Sequence, residues 1–317
     1  SLDTYLQKKE CNEIPIWTID VIKIMLFIVY FYAGIAKINS DWLLKAMPLS
    51  IWLPGKYDLL LVGSWMSEEW IHYLFSWGGM LYDLLIGFFL FSKAYRNHAY
   101  ILVVIFHIMT AIFFPSIGMF PYIMIASAII FLSSDIHKKI ILFFRNIISI
   151  KDNLIFDNYK IPNSRKAFFF IIFLLFIQII VPFRYLLYNG NIFWTEEGYR
   201  FSWRVMLMEK AGHTTFTVID NNSNKREIVN NGCFLTEFQE KQMSFQPDLI
   251  LEFAHYLGDI YKKKGFSEPS IYVDSYVTLN GRLSSRFIDE KVDLLKEQES
   301  FKQKTWVIPF RDEIKGF

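Results

Sequence analysis

The sequence is poor in the residues from which short cofactor and metal motifs are made. Its two cysteines, Cys11 and Cys233, stand far apart and make no metal-spaced pair. There is no P-loop, no dinucleotide-binding glycine fingerprint and no Gly-x-Ser-x-Gly element, so the cofactor classes read from such motifs lack support. An excess of one charge is also missing. The 33 Lys and Arg against 31 Asp and Glu leave a net charge of +2, which speaks against a nucleic-acid partner. No internal repeat, low-complexity linker or signal peptide is visible. The chain opens on Ser1 without an initiator Met, and we expect further membrane helices upstream.

Apolar residues are abundant: 53% of the chain is hydrophobic and 18% aromatic. They concentrate in residues 1–190, whereas 191–317 carry charges throughout. The expected fold is mostly α: a polytopic transmembrane helical bundle over 1–190, then a small mixed α/β extracytoplasmic domain over 191–317. Five hydrophobic segments predict the spans, at 16–39, 72–92, 99–114, 117–132 and 167–188. The third and fourth are short and joined by Phe114-Pro-Ser-Ile-Gly-Met-Phe-Pro121, a tight, bent connection. The run Ile140–Ile150 contains Arg145 and reads as an interfacial amphipathic helix.

Charge asymmetry sets the expected orientation. Loop 93–98 carries Lys93 and Arg96 without an acid, and loop 133–166 carries an excess of Lys and Arg, including Lys151 beside Asp152. Both are expected in the cytoplasm. Loop 40–71 has Lys45 and Lys56 against Asp41, Asp58, Glu68 and Glu69, with four tryptophans, and is expected outside. The C-terminal domain then also lies outside. Within it, His213–Ile219 alternates as a strand, Asp220–Asn224 is a turn and 226–229 a second strand. Residues 247–264 form an amphipathic helix closed by lysines, and Ile271–Leu279 alternates again before an Asn280-Gly281 turn.

Lys37 is the first candidate for chemistry. A lysine near the end of an apolar span is either an anchor whose head snorkels to water or a desolvated amine able to act as a base. His107 lies mid-span, either satisfied by a neighbouring helix or serving as a proton carrier in a cavity. Asp83, flanked by glycines that suggest close helix packing, is a possible partner for His107 or Lys37. Tyr199-Arg-Phe-Ser-Trp-Arg-Val-Met-Leu-Met208 is either domain core or the roof of an apolar ligand pocket.

Seven blocks in order then resemble the vitamin K-dependent γ-glutamyl carboxylase family, whose membrane part is the HTTM domain. They are Phe31-Tyr-Ala-Gly-Ile-Ala-Lys-Ile-Asn-Ser-Asp-Trp42, Gly78–Phe91, Phe106-His-Ile-Met with Ser116–Ser127, Gly198-Tyr-Arg-Phe-Ser-Trp203, Ile271-Tyr-Val-Asp274, Arg286–Asp293 and Thr305-Trp-Val-Ile-Pro309. The resemblance implies oxidation of vitamin K hydroquinone by O2 to its epoxide. That reaction generates a base strong enough to remove a γ-proton from Glu of a peptide or protein, and CO2 then adds. No metal is implied. Lys37 falls on the family's initiating lysine, and His107 is a second candidate catalytic residue. Trp42, Met119, Tyr122, Tyr199, Trp203 and Met206 are the expected cofactor-binding residues. The partners implied are the lipid bilayer, a quinone and an outer-side peptide or protein substrate.

The chain departs from the family's animal members at several points. Nothing in 1–15 matches a histidine that the family carries in an upstream span. Ala36 replaces the first of two adjacent lysines, and Arg204, Met208 and Lys210 stand where those members have an acid and a His-x-Arg pattern. The sequence ends at Phe317, before their long lumenal extension. The Lys-, Ile-, Asn- and Phe-rich composition points to a low-GC bacterium, hence a bacterial inner membrane rather than the ER membrane. A second reading is an HTTM-type maturation or export factor for a small secreted peptide, without carboxylase activity.

Overall fold

The computed structural model describes residues 9–148, 157–160 and 164–316. Ser149–Ile150, Lys151 and Asp152 lie outside the described residues. In chain order the elements begin with β1 (Lys9–Glu13), α1 (Ile16–Ala36), α2 (Ser40–Lys45), α3 (Leu49–Trp52) and α4 (Glu69–Phe91). Next come α5 (Arg96–Phe113), α6 (Phe120–Ala128), α7 (Ser134–Ile148), β2 (Asp157–Lys160), α8 (Arg165–Ile180) and α9 (Ile192–Thr195). The outer part closes with β3 (Lys210–Asp220), β4 (Arg226–Ile228), α10 (Glu237–Met243), α11 (Pro247–Lys263), β5 (Pro269–Leu279) and β6 (Ser285–Arg286). Two compact units result: 1–35 with 79–181, and 36–78 with 182–317.

The first unit is helical. Among the described residues four helices, α1, α4, α5 and α8 with its 3-10 extension to Leu187, are long and apolar enough to cross a membrane. The expected fourth segment, 117–132, is apolar and helical but short. It is a 9-residue helix, α6, followed by a 3-10 turn over Ile129–Phe131, shorter than the other four apolar helices. Pro115 and Gly118, at φ 66°, supply the bend before it. Tyr30, Tyr82, Ile86, Val103, Met124 and Phe131 make the apolar core. Gly34 lets α1 and α4 touch, because a Cβ there would stand 2.7 Å from Leu84 N. α8 presents most of its phenylalanines outward and is held to α1 by Tyr32, whose hydroxyl donates to Ile179 O at 2.6 Å. β1 and β2 form a parallel pair that alternation did not reveal. α7 begins at Ser134 and carries Ile141, Phe144 and Ile147 exposed.

The second unit is built on a four-stranded antiparallel sheet, ordered β4-β3-β5-β6. β3 and β5 pair over their whole length, with Phe216 opposite Val273. Phe216 and Val218 on β3 and Ile271, Val273 and Val277 on β5 are buried, as period-two alternation requires. α11 lays Ile250, Leu251, Ala254, Leu257, Gly258 and Tyr261 against the sheet, which is a 3.6-residue stripe. Phe253 meets Phe216 edge to face at 5.0 Å. α10, not foreseen, starts with a reciprocal Thr236–Gln239 capping box.

Candidate active site

α1 ends at Ala36, and the next three residues turn the chain into α2. Asn39 makes that turn. Its Oδ1 accepts from Trp42 N at 2.9 Å while its Nδ2 donates to Ala36 O at 2.9 Å, so one amide caps α2 and closes α1. The indole of Trp42 donates to Ser76 O at 2.7 Å, and Ser76 Oγ donates back to Trp42 O at 2.5 Å. Against this fixed ring lies Lys37, with Nζ 5.4 Å from the ring centre and the residue only 7% exposed. A snorkelling anchor keeps its head in water, whereas Lys37 is buried.

Tyr199, Trp203 and Met206 occupy the stretch that links the last long helix to β3. Glu196, Phe201, Trp203 and Met206 have φ between 58° and 62°, and Gly198 has 74°. So many left-handed residues in one loop indicate backbone strain of the kind that gathers at binding sites. Tyr199 closes the loop by donating to Arg204 O at 2.8 Å, and the Arg204 guanidinium lies 4.6 Å from the Tyr185 ring centre. Burial pushes the Tyr199 phenol up and pulls the Arg204 guanidinium down. The Trp203 indole N–H is buried and has no hydrogen-bond partner among the described residues.

His107 belongs to the first unit and is 3% exposed. Its Nε2 pairs with the Tyr30 hydroxyl at 2.9 Å, whereas its Nδ1 has no hydrogen-bond partner among the described residues. Phe106, Tyr82 and Phe120 surround the ring. The structure therefore brings Lys37 to Trp42 and His107 to Tyr30. Met119 and Tyr122, also in the first unit, are exposed.

The HTTM domain model matches residues 1–136, and the model of the vitamin K-dependent gamma-carboxylase lumenal domain matches residues 163–313. The chain belongs to the vitamin K-dependent gamma-carboxylase family. No solved structure matches it. Its apolar helices make it an integral membrane protein, and the lumenal-domain match points to the non-cytoplasmic side for the C-terminal domain.

Sequence reasoning quoted Asp41 within a gamma-carboxylase block but missed its role. Asp41 is 1% exposed and takes both arms of Arg282, at 2.6 and 2.7 Å, with Asn280 Nδ2 at 2.9 Å. Burial alone would raise this carboxyl; the Arg282 and Asn280 hydrogen bonds outweigh it and hold Asp41 below the usual carboxylate range. Ser40 N donates to Lys315 O at 2.7 Å beside it. The turn bearing Lys37 and Trp42 is thus clamped to the β5–β6 connection. Lys210, one of the gamma-carboxylase departures, is a buried ammonium donating to Glu196 Oε1 at 2.7 Å and Trp194 O at 2.8 Å. Burial lowers it and Glu196 opposes that shift. Among the described residues no group of three His, Cys, Asp or Glu gathers as a metal site.

Proposed function

We propose that the protein is a vitamin K-dependent gamma-carboxylase-like membrane enzyme that acts on Glu of a peptide or protein at the outer face of a bacterial inner membrane. When bound, a hydroquinone oxidised by O2 to its epoxide supplies a base stronger than any side chain, sufficient for γ-proton removal before CO2 addition. Lys37 takes the hydroquinone's proton, a task suited to an amine removed from water. The fixed face of Trp42 borders that amine and excludes solvent. Trp203, Tyr199 and Met206 hold the quinol. An indole N–H can only donate, so the buried Trp203 Nε1, without a hydrogen-bond partner among the described residues, fits a quinol oxygen. His107 carries a proton within the bundle, with Tyr30 fixing its ring.

The observation that carries this reading is the burial of Lys37 against Trp42 at the end of an apolar helix. The test is epoxide formation by the full-length protein in nanodiscs supplied with reduced vitamin K, then menaquinol, and O2. Lys37→Ala is expected to lower epoxide formation by about 10²- to 10⁴-fold, the contribution typical of a general base, with helical circular dichroism unchanged. Normal turnover by that variant overturns the reading.

One observation favours the maturation or export reading. Lys210 departs from the His-x-Arg pattern of the family's animal members, and its amine is engaged by Glu196 and Trp194. A folded parent protein that makes no epoxide from either quinol would support it.

A further inference from the structure

Between α3 and α4 the chain closes a small loop over residues 57–65. Gly63 N donates to Leu59 O at 2.8 Å, and a Cβ on Gly63 would stand 2.1 Å from Tyr57 O, so the two arms touch. The tip is Leu59-Leu60-Leu61. Leu60 is 87% and Leu61 89% exposed. Leu61 adopts φ 81°, a left-handed conformation disfavoured for a leucine. The backbone thus accepts strain while two adjacent leucines point away from the protein. Loop tips in water carry small polar residues instead.

The surroundings name the solvent this tip fits. Tyr57, Trp65 and Trp70 are exposed around it, and such aromatics concentrate at membrane–water interfaces. Charges stay on the arms, with Lys56 and Asp58 before the tip and Glu68 and Glu69 after it. The loop is also fastened to a membrane helix. His72, in the first turn of α4, bonds through Nε2 to Met66 O at 2.8 Å, and both residues are buried. Ile71 N donates to Glu68 O at 3.1 Å. The loop is therefore tied by hydrogen bonds to the N-terminal end of a 23-residue apolar helix.

We infer that loop 57–65 inserts Leu60 and Leu61 into the lipid leaflet at the N-terminal end of α4. A point of two leucines is too small for a protein partner, which needs about 800 Å² on each side. It suffices for lipid, with which α4 is already continuous. Insertion holds the neighbouring α2, with Trp42, at a set depth below the headgroups. The inference is independent of whether the protein oxidises a quinol.

The test uses the full chain carrying Cys11→Ser, Cys233→Ser and Leu60→Cys, labelled with the fluorophore NBD in phosphatidylcholine nanodiscs. Asn222→Cys, on the exposed β3–β4 turn, reports on water. Emission at position 60 is expected to be blue-shifted and quenched several-fold more by nitroxide-bearing lipid than by iodide, with the reverse at position 222. Iodide quenching equal to that at 222 overturns the inference. Shielding from both quenchers overturns it too, because protein, either a peptide partner or a second copy, then covers the tip. Tyr57→Cys, labelled in the same background, guards against a disturbed tip and is expected to sit at headgroup depth, quenched in part by each.

Discussion

Two buried acids in the outer unit respond to pH in opposite directions. Glu197 accepts from Lys304 N at 2.6 Å through Oε1, while its buried Oε2 has no hydrogen-bond partner among the described residues. Burial raises its carboxyl above the ordinary value. A raised acid favours the protonated form in the folded state, so its contribution is complete below the unfolded value of about 4.3 and fades as pH rises through the folded one. Stability of the outer unit is therefore expected to fall across the pH units just above about 4.3, and Glu197→Gln to flatten that slope. Thermal unfolding of the purified protein at a series of pH values measures both. Neither acid was singled out from the sequence for such a role, because a Glu in Thr195-Glu-Glu-Gly198 reads as solvated until its burial is known.

The turn α1–α2 and its clamp form the element that decides whether Lys37 and Trp42 stay together. Asp41 and Arg282 are a buried, bidentate pair, and breaking such a pair typically costs about 3–5 kcal/mol. Arg282→Gln is expected near the lower end, since Arg282 keeps some water contact. Asp41→Asn combined with Arg282→Gln should cost less than the sum of the two, and a double-mutant cycle on unfolding midpoints reads that coupling. Lys at 282 should not restore it, because an ammonium lacks the fork. Asp41 is held below its unfolded value, so its contribution is present above about pH 4 and is lost as pH falls below that, opposite in sign to Glu197. In the bundle, Gly34→Ala forces Cβ onto the Leu84 backbone. We expect a loss of about 1–3 kcal/mol from overpacking, visible as a lower melting midpoint that Leu84→Ala does not restore, because the nearest atom is backbone nitrogen.

For the whole molecule, residues 36–78 fold with 182–317 and not with the rest of the helices that flank them in sequence. Ser40, Asp41 and Trp52 all find partners beyond residue 200, at Lys315, Arg282 and Glu209. A chain ended after Gly190 is therefore expected to lose amide-exchange protection across 39–53 by about tenfold or more, whereas the helical core around Val103 keeps its protection. Unchanged exchange at 39–53 would show that this segment folds without the C-terminal partners. Family membership rests on two matches that together run from residue 1 to residue 313 with a gap over 137–162.

The sequence alone determined the elements whose periodicity is written locally. Long apolar runs made α1, α4, α5 and α8 legible, because lipid demands uninterrupted hydrophobicity. Alternation made β3 and β5 legible, and the 3.6-residue stripe made α11 legible. At 117–132 the apolar run was legible but its length as a helix was not, because Pro115 and Gly118 delay the helix start to Phe120. Lys37 stood out because a cation in an apolar run is costly wherever the chain folds. Only the tertiary structure decided what buries it, and which residues brace it. Arg282 lies 241 residues from Asp41, and no local pattern encodes a pairing at that distance. His107 Nδ1, Trp203 Nε1 and Glu197 Oε2, without hydrogen-bond partners among the described residues, likewise reach that state only once packing has removed water from atoms that any unfolded chain would hydrate.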